Sequence, residues 1–303
     1  MTDRITGVLA PVVTPFKADY SVDAERFVRQ CQWLIANGVS LAAFGTNSEA
    51  NSLAVGERME LLDRLVESGI DPSRIMPGTG CCAFVDSVRL TAHAVKLGCA
   101  GTLMLPPFYY KGVSDEGLFR NYAQIVERVG DPRLRIYLYH IPQVSQVPIT
   151  LALIDRLLAA FPHNISGVKD SSGDWSNTLA MLTRYAERGF DVFAGSENFL
   201  LANLRHGGKG CISATANVNP AAIHKLYAEW RNADADAQQA SLDAIRAIFQ
   251  KYPMIPALKQ AVAHWGGDAG WATVRPPLVE LTPEQAASLV GDLKAKGFSM
   301  PGL

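Results

Sequence analysis

A lysine closes the apolar run ISGVK at Lys169, and a tyrosine closes the run RIYLY at Tyr139. A turn of small polar residues, Thr46, Asn47 and Ser48, follows the run at 41–44. A lysine at the end of a buried strand is stripped of water, which favours the neutral amine over the ammonium. A neutral primary amine attacks a carbonyl carbon, and the resulting imine draws electrons from the adjacent bond. The same lysine could snorkel its ammonium back to water, so position alone does not decide between the two readings. A tyrosine ending the neighbouring run could hydrogen-bond a carbinolamine oxygen or shuttle a proton, although strand tyrosines more often serve packing. The polar turn offers hydroxyl, amide and backbone donors suited to a carboxylate. It could equally be a plain helix start, with Glu49 and the hydroxyls as its cap. Tyr109 and Tyr110 stand in LPPFYYKG, a loop stiffened by Pro106 and Pro107, where exposed aromatics fit a site, an oligomer contact, or both.

Lysine, tyrosine and polar turn all need one scaffold, and the chain supplies a repeating pattern. Short apolar runs at 8–14, 41–44, 74–78, 101–105, 135–139, 165–169, 191–195 and 210–213 alternate with amphipathic stretches such as 23–37, 84–97 and 150–161. Eight such units predict an α/β fold of the (β/α)8 TIM-barrel type over residues 1–230, close to the usual length of about 250 residues for that architecture. No GxGxxG follows the first run and no GxxxxGK[ST] occurs, which disfavours the open nucleotide-binding sheets. Three further helical patterns, at 234–252, 255–265 and 283–296, predict a C-terminal helical extension over 231–303 that packs on the barrel. Barrel enzymes carry their reacting groups at the C-terminal ends of strands, and Lys169, Tyr139 and the polar turn all fall there.

The 303 residues are 48% hydrophobic and balance 28 basic against 29 acidic side chains, without the cationic surplus that phosphate binding needs. Nucleic acid is therefore not an expected partner. The opening MTDRITGVLAPVV has too short an apolar stretch for a signal core or a membrane span, so a cytoplasmic protein is expected. Five cysteines without CxxC spacing suggest neither a disulfide framework nor a zinc site. The six histidines, His93, His140, His163, His206, His224 and His264, show no paired ligand spacing, so no metal is expected.

Seven blocks in order, APVVTPF, GTNSEA, PGTG, PPFYY, YHIP, GVKDSSGD and GGKGCISATANV, resemble the dihydrodipicolinate synthase / N-acetylneuraminate lyase family of class I aldolases from about Gly7 to Leu293. The resemblance implies that Lys169 is the Schiff-base lysine, Tyr139 the proton-relay tyrosine and Thr46 the middle of the relay. It implies that Tyr109, or Tyr110 given the extra residue in PFYYKG, crosses a dimer interface. Asn47 falls where the pyruvate carboxylate is bound, and Gly195 and Ile212 where backbone lines the pocket. The family implies a homotetramer built as a dimer of dimers, with no cofactor beyond the covalent imine on Lys169. Its substrates are a small 2-oxo acid and an aldehyde.

Three departures bear on the second substrate. Val144 stands five positions after Tyr139, where dihydrodipicolinate synthases carry an arginine that grips a carboxylate. An isopropyl group cannot replace a charge-assisted pair worth about 1.5–3 kcal/mol. His140 replaces the usual asparagine and Ser48 the usual glycine, so both are expected to contact the distal half of a different electrophile. The leading expectation is an aldolase that cleaves or forms a 4-hydroxy-2-oxo acid or 2-keto-3-deoxy sugar acid. A dehydratase or deaminase using the same imine, and 4-hydroxy-tetrahydrodipicolinate synthase, are the alternatives within this chemistry. A non-catalytic 2-oxo-acid-binding barrel would have no reason to keep Lys169, Tyr139 and Thr46 together.

Overall fold

The computed structural model describes residues 4–303, in which seven strands alternate with helices in an α/β fold. The chain divides into two compact units, one of Gly7–Ile70 with Ser213–Leu303, the other of residues 4–6 with Asp71–Ile212. In the first unit, β1 (Gly7–Ala10) pairs in parallel with β2 (Ser40–Leu41) through Leu9↔Ser40 and Ala10↔Leu41. All four residues of β1 are buried, as expected for a strand covered on both faces. The intervening helix Ala24–Ala36 buries Phe27, Cys31 and Leu34 on one face, and the Asp23 carboxylate caps it by accepting from Arg26 N at 3.0 Å.

Asn217 of the ATANV block stitches this unit together. Its Oδ1 accepts from Val13 N at 2.9 Å, and its Nδ2 donates to the carbonyls of Pro11 (3.0 Å) and Ala214 (2.9 Å). The C-terminal helices Ala235–Phe249, Met254–Trp265 and Pro283–Ala295 lie within three residues of the bounds read from the sequence.

The second unit holds β3 (Thr102–Met104), β4 (Ile136–His140), β5 (Ile165–Asp170), β6 (Asp191–Ala194) and β7 (Gly210–Ile212), paired in parallel in that order. The run at 74–78, expected to be a strand, forms only an isolated bridge, Gly78↔Leu103. Pro77 has no N–H to donate, so the ladder stops at two bonds, Leu103 N to Pro77 O (2.9 Å) and Thr79 N to Leu103 O (3.0 Å).

Strand alternation gives the two faces of this sheet different tasks. Ile136, Leu138, Val168 and Val192 join an apolar core with Tyr122, Leu153, Ile154, Leu157 and Met181 from the covering helices. The opposite face presents Tyr137, Gly167 and Asp191 in one register row and Tyr139, Lys169 and Phe193 in the next. In the lower row the Tyr137 hydroxyl donates to Asp191 Oδ2 at 3.1 Å, and Arg4 approaches the same oxygen at 3.3 Å. Burial, with the nearby Asp191 charge, pushes the Tyr137 phenol up, which keeps it protonated as the donor.

Gly167 is what makes room for that ring. A Cβ there would lie 2.3 Å from Asp191 O and 2.8 Å from Tyr137 Cδ1, and backbone cannot step aside. Gly167→Ala is therefore expected to lower unfolding free energy by about 2 kcal/mol or more, read by urea denaturation. A loss below about 0.5 kcal/mol would contradict this packing.

Candidate active site

Lys169 sits at the end of β5 with only 2% of its surface exposed, level with Tyr139 of β4 and Phe193 of β6. Its Nζ lies 4.2 Å from the centre of the Tyr139 ring. Of the two readings left open by position, the snorkel to water is not the one observed: the amine is buried against an aromatic face. Asp170, the next residue, points to the other side and locks the strand end. Its carboxylate accepts from Ser172 N (2.9 Å), Asn177 Nδ2 (3.0 Å) and Thr178 Oγ1 (2.7 Å), which fixes the turn into the helix Trp175–Tyr185.

Two residues past Lys169, and on its face by alternation, the Ser171 hydroxyl has no hydrogen-bond partner. It nests against Gly195, where a Cβ would lie 2.0 Å from Ser171 Oγ, and Gly195 N donates to Asp170 O at 2.7 Å. Only glycine permits that approach. Ile212 ends β7 and is fully buried. Lys169, Tyr139, Gly195 and Ile212 therefore all stand at strand ends of this unit. Ser171 is the member the sequence reading missed, although its spacing of two from Lys169 signals a shared face.

His140 is turned the other way. Alternation sets it opposite Tyr139, where its Nδ1 accepts from Ile149 N at 2.9 Å, so the neutral ring carries its proton on Nε2. Burial pulls its pKa down, and the Asp170 charge opposes that shift. Val144 lies in the short helix Pro142–Ser145 and is 58% exposed. Tyr109 and Tyr110 are 73% and 71% exposed, with rings edge to face at 5.4 Å. Lys111 ties their loop down by donating to Ser145 O at 3.0 Å.

The polar turn belongs to the other unit. Phe44 (φ 62°) and Glu49 (φ 56°) adopt left-handed backbone on either side of it, a conformation that costs non-glycine residues energy. Ser48 is buried, and its hydroxyl accepts from Gly45 N at 3.2 Å within the same turn, while its carbonyl accepts from Thr14 Oγ1 at 2.7 Å. Thr46 and Asn47 are half-buried. The Glu49 carboxylate makes no capping bond, although the residue stands at the head of the short 3-10 turn Ala50–Ser52. The next α-helix, Val55–Glu67, is capped by Glu57, which accepts from Ala54 N at 2.8 Å. The Glu49 carboxylate instead turns inward to Lys259 Nζ at 2.7 Å, with both side chains fully buried. Burial pulls the Lys259 ammonium down and the Glu49 carboxylate pulls it back up.

Among the described residues, no three His, Cys, Asp or Glu side chains converge to hold a metal ion. No described helix is long and apolar enough to cross a membrane.

A parallel α/β fold that buries an amine against a phenol at adjacent strand ends is equipped for amine–carbonyl chemistry. The chain belongs to the dihydrodipicolinate synthetase family, whose model matches residues 4–296, and it is accordingly a lyase. A DapA-like lyase of Chloroflexus aurantiacus is 33% identical over 286 residues, covering 93% of this chain and 94% of the relative. Dihydrodipicolinate synthase from Agrobacterium tumefaciens is 33% identical with a TM-score of 0.89, covering 96% of this chain and 99% of that one. YagE, a protein of the dihydrodipicolinic acid synthase family from E. coli K12 solved with pyruvate, is 27% identical with a TM-score of 0.87, over 97% and 99% of the two chains.

Proposed function

We propose that Lys169 condenses with a 2-oxo acid, pyruvate above all, and that the chain cleaves or forms the C3–C4 bond of a 4-hydroxy-2-oxo acid or 2-keto-3-deoxy sugar acid. The observation that carries this reading is the burial of the Lys169 amine against Tyr139, on the sheet face that bears no helices' apolar core. The relative solved with pyruvate supports the choice of oxo acid. In the cleavage direction Nζ attacks C2, and the carbinolamine loses water to give a protonated imine. The C4 hydroxyl gives up its proton, the C3–C4 electron pair moves onto the imine, and the aldehyde departs. The enamine is then protonated at C3, and water releases pyruvate and the free amine. The covalent imine supplies the electron sink, so the scheme calls on no other cofactor.

Tyr139 takes and returns the proton of the aldol oxygen, and Thr46 with Tyr109 or Tyr110 passes it on. Asn47 and the amides of its turn hold the oxo-acid carboxylate, and the Gly195 and Ile212 backbone lines the oxo-acid end. The exposed Tyr109–Tyr110 pair suits delivery of one ring to a second copy of the chain, in a homotetramer made as a dimer of dimers. Residues 1–230 are read as a closed barrel and 231–303 as its helical extension, in a cytoplasmic enzyme. Val144 in place of a carboxylate-binding arginine favours a second substrate without a carboxylate at that point.

Cleavage of a panel of 2-keto-3-deoxy acids, coupled to lactate dehydrogenase, tests the reaction type. At least one member is expected to release pyruvate. Loss of water or ammonia with the carbon skeleton intact, and no pyruvate from any member, would replace the aldolase with a dehydratase or deaminase.

A further inference from the structure

The Lys259–Glu49 pair is a poor choice if stability alone were its purpose. Both side chains are fully buried, and removing two charges from water costs about as much as their attraction returns, so an apolar pair of the same volume would hold the fold as well. What such a pair can supply is one specified conformation.

Glu49 occupies a left-handed backbone state, φ 56° and ψ 34°, that a residue with a side chain keeps only when its surroundings fix it. Both of its carboxylate oxygens are engaged: Oε1 by Lys259 Nζ at 2.7 Å and Oε2 by Arg275 N at 3.0 Å. The Lys259 amine and the Arg275 guanidinium each lie 4.5 Å from the centre of the Phe16 ring. Arg275 also donates to Ser52 O at 2.6 Å and pairs with Glu57 at 2.8 Å, so the chain is gripped beyond Glu49 as well. Two residues from the C-terminal part of the sequence thus clamp one end of a four-residue turn, Gly45–Ser48. Ser48 is engaged within that turn, and Thr46 and Asn47 are half-buried there.

We infer that Lys259 is a positioning residue for the reaction: through Glu49 it sets the backbone of the Gly45–Ser48 turn that holds the oxo-acid carboxylate. The inference rests on the imine reading of Lys169 and on the carboxylate role proposed for that turn. Lys259 touches no reacting atom. Its loss should weaken capture of the oxo acid and leave the chemistry of Lys169 in place.

The test is borohydride trapping of the full-length protein over a range of pyruvate concentrations, with the adduct located by peptide mapping. Lys259→Met alone strands a buried carboxylate and can unfold the chain. The decisive variant is therefore Glu49→Gln/Lys259→Met, which removes both charges at nearly constant volume, with folding checked by circular dichroism. The half-saturating pyruvate concentration is expected to rise tenfold or more, while the adduct stays on Lys169 and its extent at saturation stays within twofold of the parent. A half-saturation within twofold of the parent, with the parent adduct on Lys169 intact, overturns this inference alone. A parent protein that forms no Lys169 adduct overturns the imine reading, and this inference with it.

Discussion

Lys169→Ala is expected to lower kcat by about 10⁵-fold or more, because without the amine there is no imine and no place for the C3–C4 electron pair to go. The side chain projects from the sheet face, so its removal need not disturb the backbone pairing of β5 with β4 and β6 at Tyr139↔Lys169 and Lys169↔Phe193. The variant should therefore fold, with a circular dichroism spectrum like the parent's, and the lost turnover should belong to the chemistry. Lys169→Arg should be equally inactive, since a guanidinium stays charged near neutral pH and does not condense with a ketone. Activity within tenfold of the parent in either variant would show that this amine is a buried structural group.

Tyr139→Phe is expected to cost about 10²–10⁴-fold in kcat, the usual worth of a placed acid–base group. The substitution keeps the ring over which Lys169 Nζ lies at 4.2 Å and deletes only the hydroxyl. Packing around the amine is thus preserved, and the adduct should still form, though more slowly. Steady-state turnover compared with the rate of borohydride trapping separates the two effects. A kcat within threefold of the parent would remove Tyr139 from the proton path and leave it as the wall of the amine's site.

Much of the second unit's layout was legible because its strands carry a periodicity that survives without context. ISGVK and RIYLY ended within a residue of the observed strands, and a lysine and a tyrosine at those ends fell in one register row. Tyr139 was singled out because it closes its run, and Tyr137 shares its face. Depth separates them, since Tyr137 lies level with Gly167 and Asp191 and is spent on a hydrogen bond there. The run at 74–78 looked like a strand by composition, yet Pro77 withholds the donor a longer ladder would need.

His140 was expected to contact the second substrate because it replaces the family's usual asparagine, but neighbours in a strand face opposite ways, and its Nδ1 is engaged by Ile149 N. Ser48 was expected to reach the substrate through its extra hydroxyl, and that hydroxyl folds back onto Gly45 N. The Glu49–Lys259 pair could not be read at all. Its partners are 210 residues apart, and no local pattern marks a lysine in an apolar helix as the counter-ion of a distant turn.

The central claim is that one buried amine condenses with an oxo acid, and reduction with borohydride in the presence of pyruvate tests it most directly. The account predicts a stable mass increment of one reduced pyruvate on the peptide containing Lys169, absent from Lys169→Ala and absent without pyruvate. No increment, or an increment carried by Lys259 or any other lysine, would contradict it.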